Sequence, residues 1–170
     1  VARQIRFHLD ICDHLTPGYK FNEWELKGVP LRMEVGPKDI QKQSVTLAQR
    51  ITLDGSVPEG KKPKSFVPQA GLIEHVTGLM DQIQQALYQR ALKFCEEHTF
   101  VAKNYNELKE RVERGFVRCC WAGSREDEEK IQEETKATIR VIPIAQPGGK
   151  GKCIYTGQEA DKVAIFARAY

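Results

Sequence analysis

The sequence predicts an α/β protein in two parts, and three observations carry that expectation. Short segments alternate apolar and polar side chains with a period of two, which reads as half-buried strands. One long segment, "AGLIEHVTGLMDQIQQALYQRALKFCEEHT", repeats apolar residues at three- and four-residue spacing, which reads as a helix with one buried stripe. Beyond His98 and Thr99 a second set of helical and strand patterns begins, so residues 1–97 and 98–170 are expected as separate units. A chain of 170 residues is long enough for one ordinary domain or two small ones.

In chain order, "RQIRFHLDI" sets Ile5, Phe7 and Leu9 against Gln4, Arg6, His8 and Asp10, predicting a strand with His8 solvated. Thr16 followed by Pro17 is a helix start, because threonine can cap and proline is tolerated at the first helical position. The helix "PGYKFNEWELK" should stop at Gly28. "VPLRMEVG" then reads as a strand, with Val29, Leu31, Met33 and Val35 on one face and Pro30, Arg32 and Glu34 on the other. "SVTLAQRITL" is a further strand, and the Gly-, Pro- and Lys-rich "DGSVPEGKKPKS" a mobile surface loop. On the long helix Leu72, Val76, Leu79, Met80, Ile83, Leu87, Ala91 and Leu92 form the packing stripe, and His75 is exposed.

In the second part "NYNELKERVERG" reads as an amphipathic helix ended by Gly115, and "FVRCCWA" as a buried strand. "REDEEKIQEETK" is a helix whose acidic residues gather at its start, as the helix dipole favours. "ATIRVIPIA", "KCIYTG" and "VAIFARAY" are strands, with a turn at "PGGKGK". The pattern describes a small α+β domain without internal repeats.

Composition narrows the function. Apolar residues make up 41% and charged residues 29%, ordinary for a soluble globular protein. No apolar run reaches the ~20 residues of a membrane span, and no signal-peptide core opens the chain, so a soluble cytoplasmic protein is expected. A net charge of +3 permits nucleic-acid contact through specific side chains rather than through a strongly basic surface. The five cysteines (Cys12, Cys95, Cys119, Cys120 and Cys153) are odd in number and read as free thiols, with Cys119 and Cys120 as small buried side chains. No Walker loop, nucleotide-binding glycine motif or paired His/Cys nucleophile set is present, so the chain by itself is not expected to catalyse a reaction.

The densest chemistry lies in "PGYKFNEWELKGVPLRMEVGPKD". Phe21 and Glu25 are four residues apart and share a helix face. Arg32 lies on the polar face of the next strand, and Lys38 and Asp39 follow the Gly36-Pro37 turn. Phe21, Glu25, Arg32 and Asp39 can therefore surround one concave spot. An aromatic ring stacks an unpaired base, and a carboxylate accepts from the N1–H and N2–H edge of guanine. Arginine donates in a fork to guanine O6/N7 or to phosphate. The set suits a splayed-out guanine; the bland alternative is a group of surface ion pairs.

The stretch "TPGYKFNEWELKGVPLRMEVGPKD" closely resembles the signature of the anticodon-binding domain of prolyl-tRNA synthetases, class II ligases. The segments "EEKIQEETKATIRVIPI", "GKCI" and "VAIFARAY" look like the carboxy-terminal domain of the archaeal/eukaryotic-type members, so the resemblance covers essentially the whole chain. It implies a class IIa anticodon-binding domain, a mixed sheet with flanking helices, followed by a small zinc-binding-like domain. The family's anticodon domain opens with a strand and a helix ahead of the strand that "RQIRFHLD" matches, so a sheet short of that strand is expected, with an open edge.

Further expectations follow from the same resemblance. The positions matching the family's anticodon-reading residues are Phe21, Glu25, Arg32, Lys38 and Asp39. Stacking falls to Phe21, guanine-edge acceptance to Glu25 and Asp39, and fork donation to Arg32. Partners would be tRNA(Pro) and the synthetase's catalytic domain, through which relatives form homodimers. ATP and Mg would serve the complete enzyme rather than this chain. Tyr170 matches a terminal residue whose carboxylate lies near the active site in relatives. The family's structural zinc is held by four thiolates. The matching positions here are Ala122, Asp127, Cys153 and Thr156, with Cys120 a conceivable substitute, so zinc is not expected to bind. The alternative to part of a ligase is a free-standing tRNA-binding or regulatory paralogue.

Overall fold

The structure, a computed structural model, describes residues 5–56, 58, 60, 62–146 and 150–168. The expected turn at 147–149 and Tyr170 lie outside those residues. The chain divides into two compact units, Val1–Leu92 and Lys93–Tyr170.

In the first unit helix α1 spans Pro17–Leu26 and begins as its sequence dictates. The Thr16 hydroxyl accepts from Tyr19 N–H, and Pro17 fills the first position, where no N–H is needed. Gly28 adopts φ +85°, a conformation that ends the helix without a Cβ penalty. Strand β1 (Leu31–Glu34), the short helix α2 (Pro37–Gln41), β2 (Ser44–Gln49), β3 (Lys64–Pro68) and the long α3 (Leu72–Glu97) follow. The three strands pair antiparallel in the order β1-β2-β3.

One face of this sheet meets α3. Val45, Leu47, Ile51 and Val67 pack with Val76, Leu79 and Ile83 of the helix, joined by half-buried Ile5, Leu31, Leu72 and Leu87. Leu72, Val76, Leu79, Ile83 and Leu87 of the expected stripe pack here, whereas Met80, Ala91 and Leu92 are exposed; His75 is exposed as expected. A turn at 52–56 docks on the same helix. Gly55 has φ +82°, an added Cβ would stand 2.8 Å from Ala86 O, and Arg90 Nη1 donates to Gly55 O at 2.6 Å.

Three expectations need correction here. Residues 5–11 do not form a strand; Phe7, Leu9 and Ile11 are 85%, 70% and 83% exposed. Period-two alternation yields a strand only beside a hydrogen-bonding neighbour, and the described residues provide none. The segment is instead tied to α1: Asp10 accepts from Trp24 Nε1 and pairs with Lys20, while His8 lies against the Trp24 ring. The "mobile loop" ends in β3, whose "KSFVP" was obscured by the lysines and prolines around it. The turn after β1 contains α2, held by Asp39. On β1 the two faces divide as expected: Leu31 packs toward α3, and Arg32 and Glu34 lie on the other face, half-buried by ionic partners, while Met33 and Val35 are exposed.

The second unit contains β4 (Thr99–Val101), α4 (Tyr105–Arg111), β5 (Phe116–Trp121), α5 (Arg125–Thr135), β6 (Ala137–Val141), β7 (Gly151–Lys152), β8 (Glu159–Ala160) and β9 (Lys162–Arg168). Its main sheet is mixed, in the order β4-β5-β9-β6: β4 runs parallel to β5, and β9 pairs antiparallel with β5 and β6. Leu108, Val117, Ile131, Ala137, Ala164 and Phe166 form a solvent-free core, with the Trp121 ring edge-on to Phe166. Serine 124 and Asp127 cap α5 reciprocally, and Asn104 caps α4. "KCIYTG" is mostly a turn, a further correction: Gly157 N–H returns to Cys153 O, and Ile154 N–H reaches Cys120 O. Two residues of ladder, β7 with β8, replace the expected strand.

Candidate nucleic-acid interface

The polar face of the first sheet is opposite α3, and α1 lies along its β1 side. Cross-strand pairing sets two rows of side chains on it: Arg32–Ala48–Lys64 and Glu34–Thr46–Phe66. Period two on β1 puts Arg32 and Glu34 on the same face, so the guanidinium sits beside a carboxylate of its own strand. Four-residue spacing on α1 brings Phe21 and Glu25 over that pair.

Arg32 is the centre of the arrangement. Its guanidinium carbon lies 3.7 Å from the Phe21 ring centroid, a cation–π contact. Its Nε and Nη2 donate to Glu34 Oε1 at 3.0 and 2.9 Å, and Nη1 donates to Glu25 Oε1 at 3.0 Å. A guanidinium has five N–H donors, so these contacts leave two for a ligand. Lysine completes the charges: Lys62 stands 3.4 Å from Glu25 Oε2, and Lys64 2.7 Å from Glu34 Oε2. Burial raises the Glu34 carboxyl, but the hydrogen bonds and charges of Lys64 and Arg32 outweigh it and hold it below its ordinary value. Three cations against two carboxylates leave the cluster net positive.

Asp39 has a different position. Its Oδ2 accepts from Gly36 N–H at 2.9 Å, capping α2, and its Oδ1 is 3.5 Å from Thr46 Oγ1. Thr46 is buried and is also the sheet neighbour of Glu34, so Asp39 joins the cluster through one threonine. Lys38 is exposed on α2. The structure thus gathers Phe21, Glu25 and Arg32 directly, Asp39 through Thr46, and Lys38 at the rim. Sequence reasoning missed Glu34, Thr46, Lys62 and Lys64 as members. Glu34 shared the polar face with Arg32, a signal that was available; the lysines were hidden in a stretch that reads as loop.

In the second unit, the four positions matched to a zinc site do not form a ligand set. Ala122 presents a methyl group, and Asp127 Oδ2 accepts from Ser124 N–H at 2.9 Å as a helix cap. Cys153 is buried, which raises its thiol; hydrogen bonds from the Thr156 hydroxyl and the N–H groups of Thr156, Ala122 and Tyr155 more than offset this. Among the described residues no three His, Cys, Asp or Glu side chains converge as a metal cluster requires. Cys120 packs against Gly151, where an added Cβ would come within 2.6 Å of its sulfur. Cys119 is buried, which pushes its thiol up to about 12 with help from Cys120 and Cys153.

Comparison with known proteins decides the family. Residues 1–60 match the family described as "Anticodon binding domain", and residues 105–170 match "Prolyl-tRNA synthetase, C-terminal". The chain matches the C-terminal, anticodon-binding part of prolyl-tRNA synthetases. It is 58% identical over 167 residues to a proline–tRNA ligase of Roseiflexus sp. (strain RS-1), covering 98% of this chain and 34% of that protein. The ligase of Chloroflexus aurantiacus (strain J-10-fl) shows the same identity and coverage. Proline–tRNA ligase 2 of Clostridioides difficile is 39% identical over 171 residues, covering 99% of this chain and 34% of that protein. The chain therefore spans about a third of the length of these curated relatives. Within the synthetase family, the signature that carried the resemblance is the segment that builds α1, β1 and α2. No helix of the described residues is long and apolar enough to cross a membrane.

Proposed function

We propose that this chain reads the anticodon of tRNA(Pro) as the C-terminal part of a proline–tRNA ligase, whose whole activity is ATP-dependent attachment of proline to that tRNA. The observation that carries the reading is the Phe21–Arg32–Glu25 cluster, an aromatic face, a guanidinium with two donors to spare and a carboxylate within one polar recess. Glu25 would accept from a guanine Watson–Crick edge, exchanging its lysine partner for the base. Arg32 would donate its remaining N–H groups to guanine or to phosphate. Phe21 supplies the ring against which that guanidinium is held, and any base stacking at Phe21 uses its remaining surface. Asp39 would accept from a second guanine, and Lys38 would contact phosphate at the rim.

The identity to proteins named proline–tRNA ligase supports this reading over a free-standing paralogue. ATP and Mg belong to the catalytic domain, which is the proposed partner along with tRNA(Pro), and through which homodimers would form. Tyr170 would lie near that active site. The setting is the cytoplasm, where tRNA is charged. The second unit needs no zinc in this proposal, because Thr156 and backbone N–H groups serve Cys153 in place of a cation. Titration with tRNA(Pro) and with a variant whose anticodon guanines are replaced, at two salt concentrations, tests the reading. Equal affinity for both would overturn it.

A further inference from the structure

Phe66 lies on β3, at the opposite edge of the sheet from the proposed reading cluster and on the same face. It is 78% exposed although it is aromatic and lies mid-strand. The register places it in one row with Thr46 and Glu34, and Lys64 stands two residues away on the same face. Thr46 bridges this row to Asp39, and Glu34 to Arg32. Two strand spacings, roughly 10 Å, separate Phe66 from β1. The opposite face of β3 contributes Val67 to the core, so folding does not require the Phe66 ring.

We propose that Phe66 is a stacking platform for an unpaired base of the anticodon loop, the one next to the guanines read beside Arg32. The inference rests on the anticodon-reading proposal above. Arg32 occupies a face of Phe21 in the protein itself, whereas the Phe66 ring is open to solvent. A single strand laid across this sheet meets carboxylate and guanidinium at β1, passes over the buried Thr46 and reaches an open ring at β3. Lys64 beside that ring supplies a phosphate contact once its Glu34 partner is shared with Arg32. Aromatic stacking accepts any base, so Phe66 contributes affinity and register, while Glu25 and Arg32 provide discrimination.

The test uses the 170-residue chain and two RNA stem-loops, one with the proline anticodon loop and one with its guanines replaced by adenines. Wild type, Phe66→Ala, Phe66→Trp and Lys64→Ala are titrated at two salt concentrations. Phe66→Ala should lose about 5- to 150-fold in affinity for both loops, the usual range for one stacked base. Its preference between loops, its salt slope and its thermal midpoint should stay as in wild type, and Phe66→Trp should bind like wild type. Lys64→Ala should flatten the salt slope instead. If wild type prefers the guanine loop but Phe66→Ala binds as tightly, the platform is refuted and the anticodon reading stands. If wild type does not prefer the guanine loop, both fail.

Discussion

Arg32 packs over the Phe21 ring, its guanidinium carbon 3.7 Å from the ring centroid, while its N–H groups are shared between Glu25 and Glu34. The contact depends on a planar, delocalised cation, which lysine cannot imitate. Arg32→Lys should therefore weaken binding of tRNA(Pro) by about 1–3 kcal/mol, nearly as much as Arg32→Ala. Equilibrium titration of the two variants checks this. A lysine variant that binds like wild type would mean that only the charge is used.

Glu25→Ala should weaken binding of tRNA(Pro) by about 1–3 kcal/mol for the lost base contact and barely affect a tRNA with another anticodon. Equal weakening for every tRNA would assign Glu25 to phosphate attraction or to folding.

Asp39 caps α2 and is proposed to read a guanine, and substitution separates the two. Asp39→Ala removes the cap on Gly36 N–H and should cost about 0.5–2 kcal/mol of stability at α2 as well as tRNA affinity. Asp39→Asn keeps an acceptor for Gly36 and should retain most of that stability. If the carboxylate also reads a guanine, Asp39→Asn still loses affinity. Denaturant melts and tRNA titrations of both variants distinguish the roles.

Glu34 gives the cluster a pH dependence. Its folded pKa is below the ordinary 4.5, so its contribution is complete above 4.5 and lost as the pH falls through the lowered value. Glu34→Gln should be less stable than wild type at neutral pH, and the difference should close in acid. Asp10 behaves alike at lower pH: Trp24 and Lys20 hold it at about 2, so the tie between residues 5–12 and α1 should loosen between about 3.8 and 2. Thermal melts across pH, with proteolysis at the 5–12 segment, measure both. A wild-type advantage unchanged in acid would refute the Glu34 assignment.

In the second unit Thr156→Val removes a donor to the buried Cys153 sulfur and should destabilise by about 1 kcal/mol. Metal analysis of the purified chain should find well below one zinc per molecule, and chelator should leave the melting midpoint unchanged. Stoichiometric zinc would overturn this.

Local chemistry made much of the fold legible. Thr16-Pro17 and Gly28 marked both ends of α1, and the apolar stripe from Leu72 marked α3, because caps and helical periodicity act within a few residues. Residues 5–11 misled for the opposite reason: their alternation is local, but a strand exists only with a partner. β3 was hidden because three lysines and two prolines crowd one short alternation, and its pairing with β2 is long-range. At the site, helix and strand spacing selected Phe21, Glu25 and Arg32 correctly as neighbours. No spacing rule could bring Lys62 and Lys64 to Glu25 and Glu34, which lie across the sheet.

The sequence by itself determined the α/β class, both ends of α1, the inner stripe of α3, the resemblance to the synthetase signature and the core of the candidate site, since each is written in short-range pattern or in the signature. Only the tertiary structure decided that β1 is covered on both faces. Leu31 packs into the core against α3 on one face, and Arg32 and Glu34 are half-buried on the other, since α1 supplies Phe21 and Glu25 to hold the guanidinium. A charge can leave water where ring, carboxylates and lysines replace its hydration together, and that set exists only once the helix, strand and loop have met.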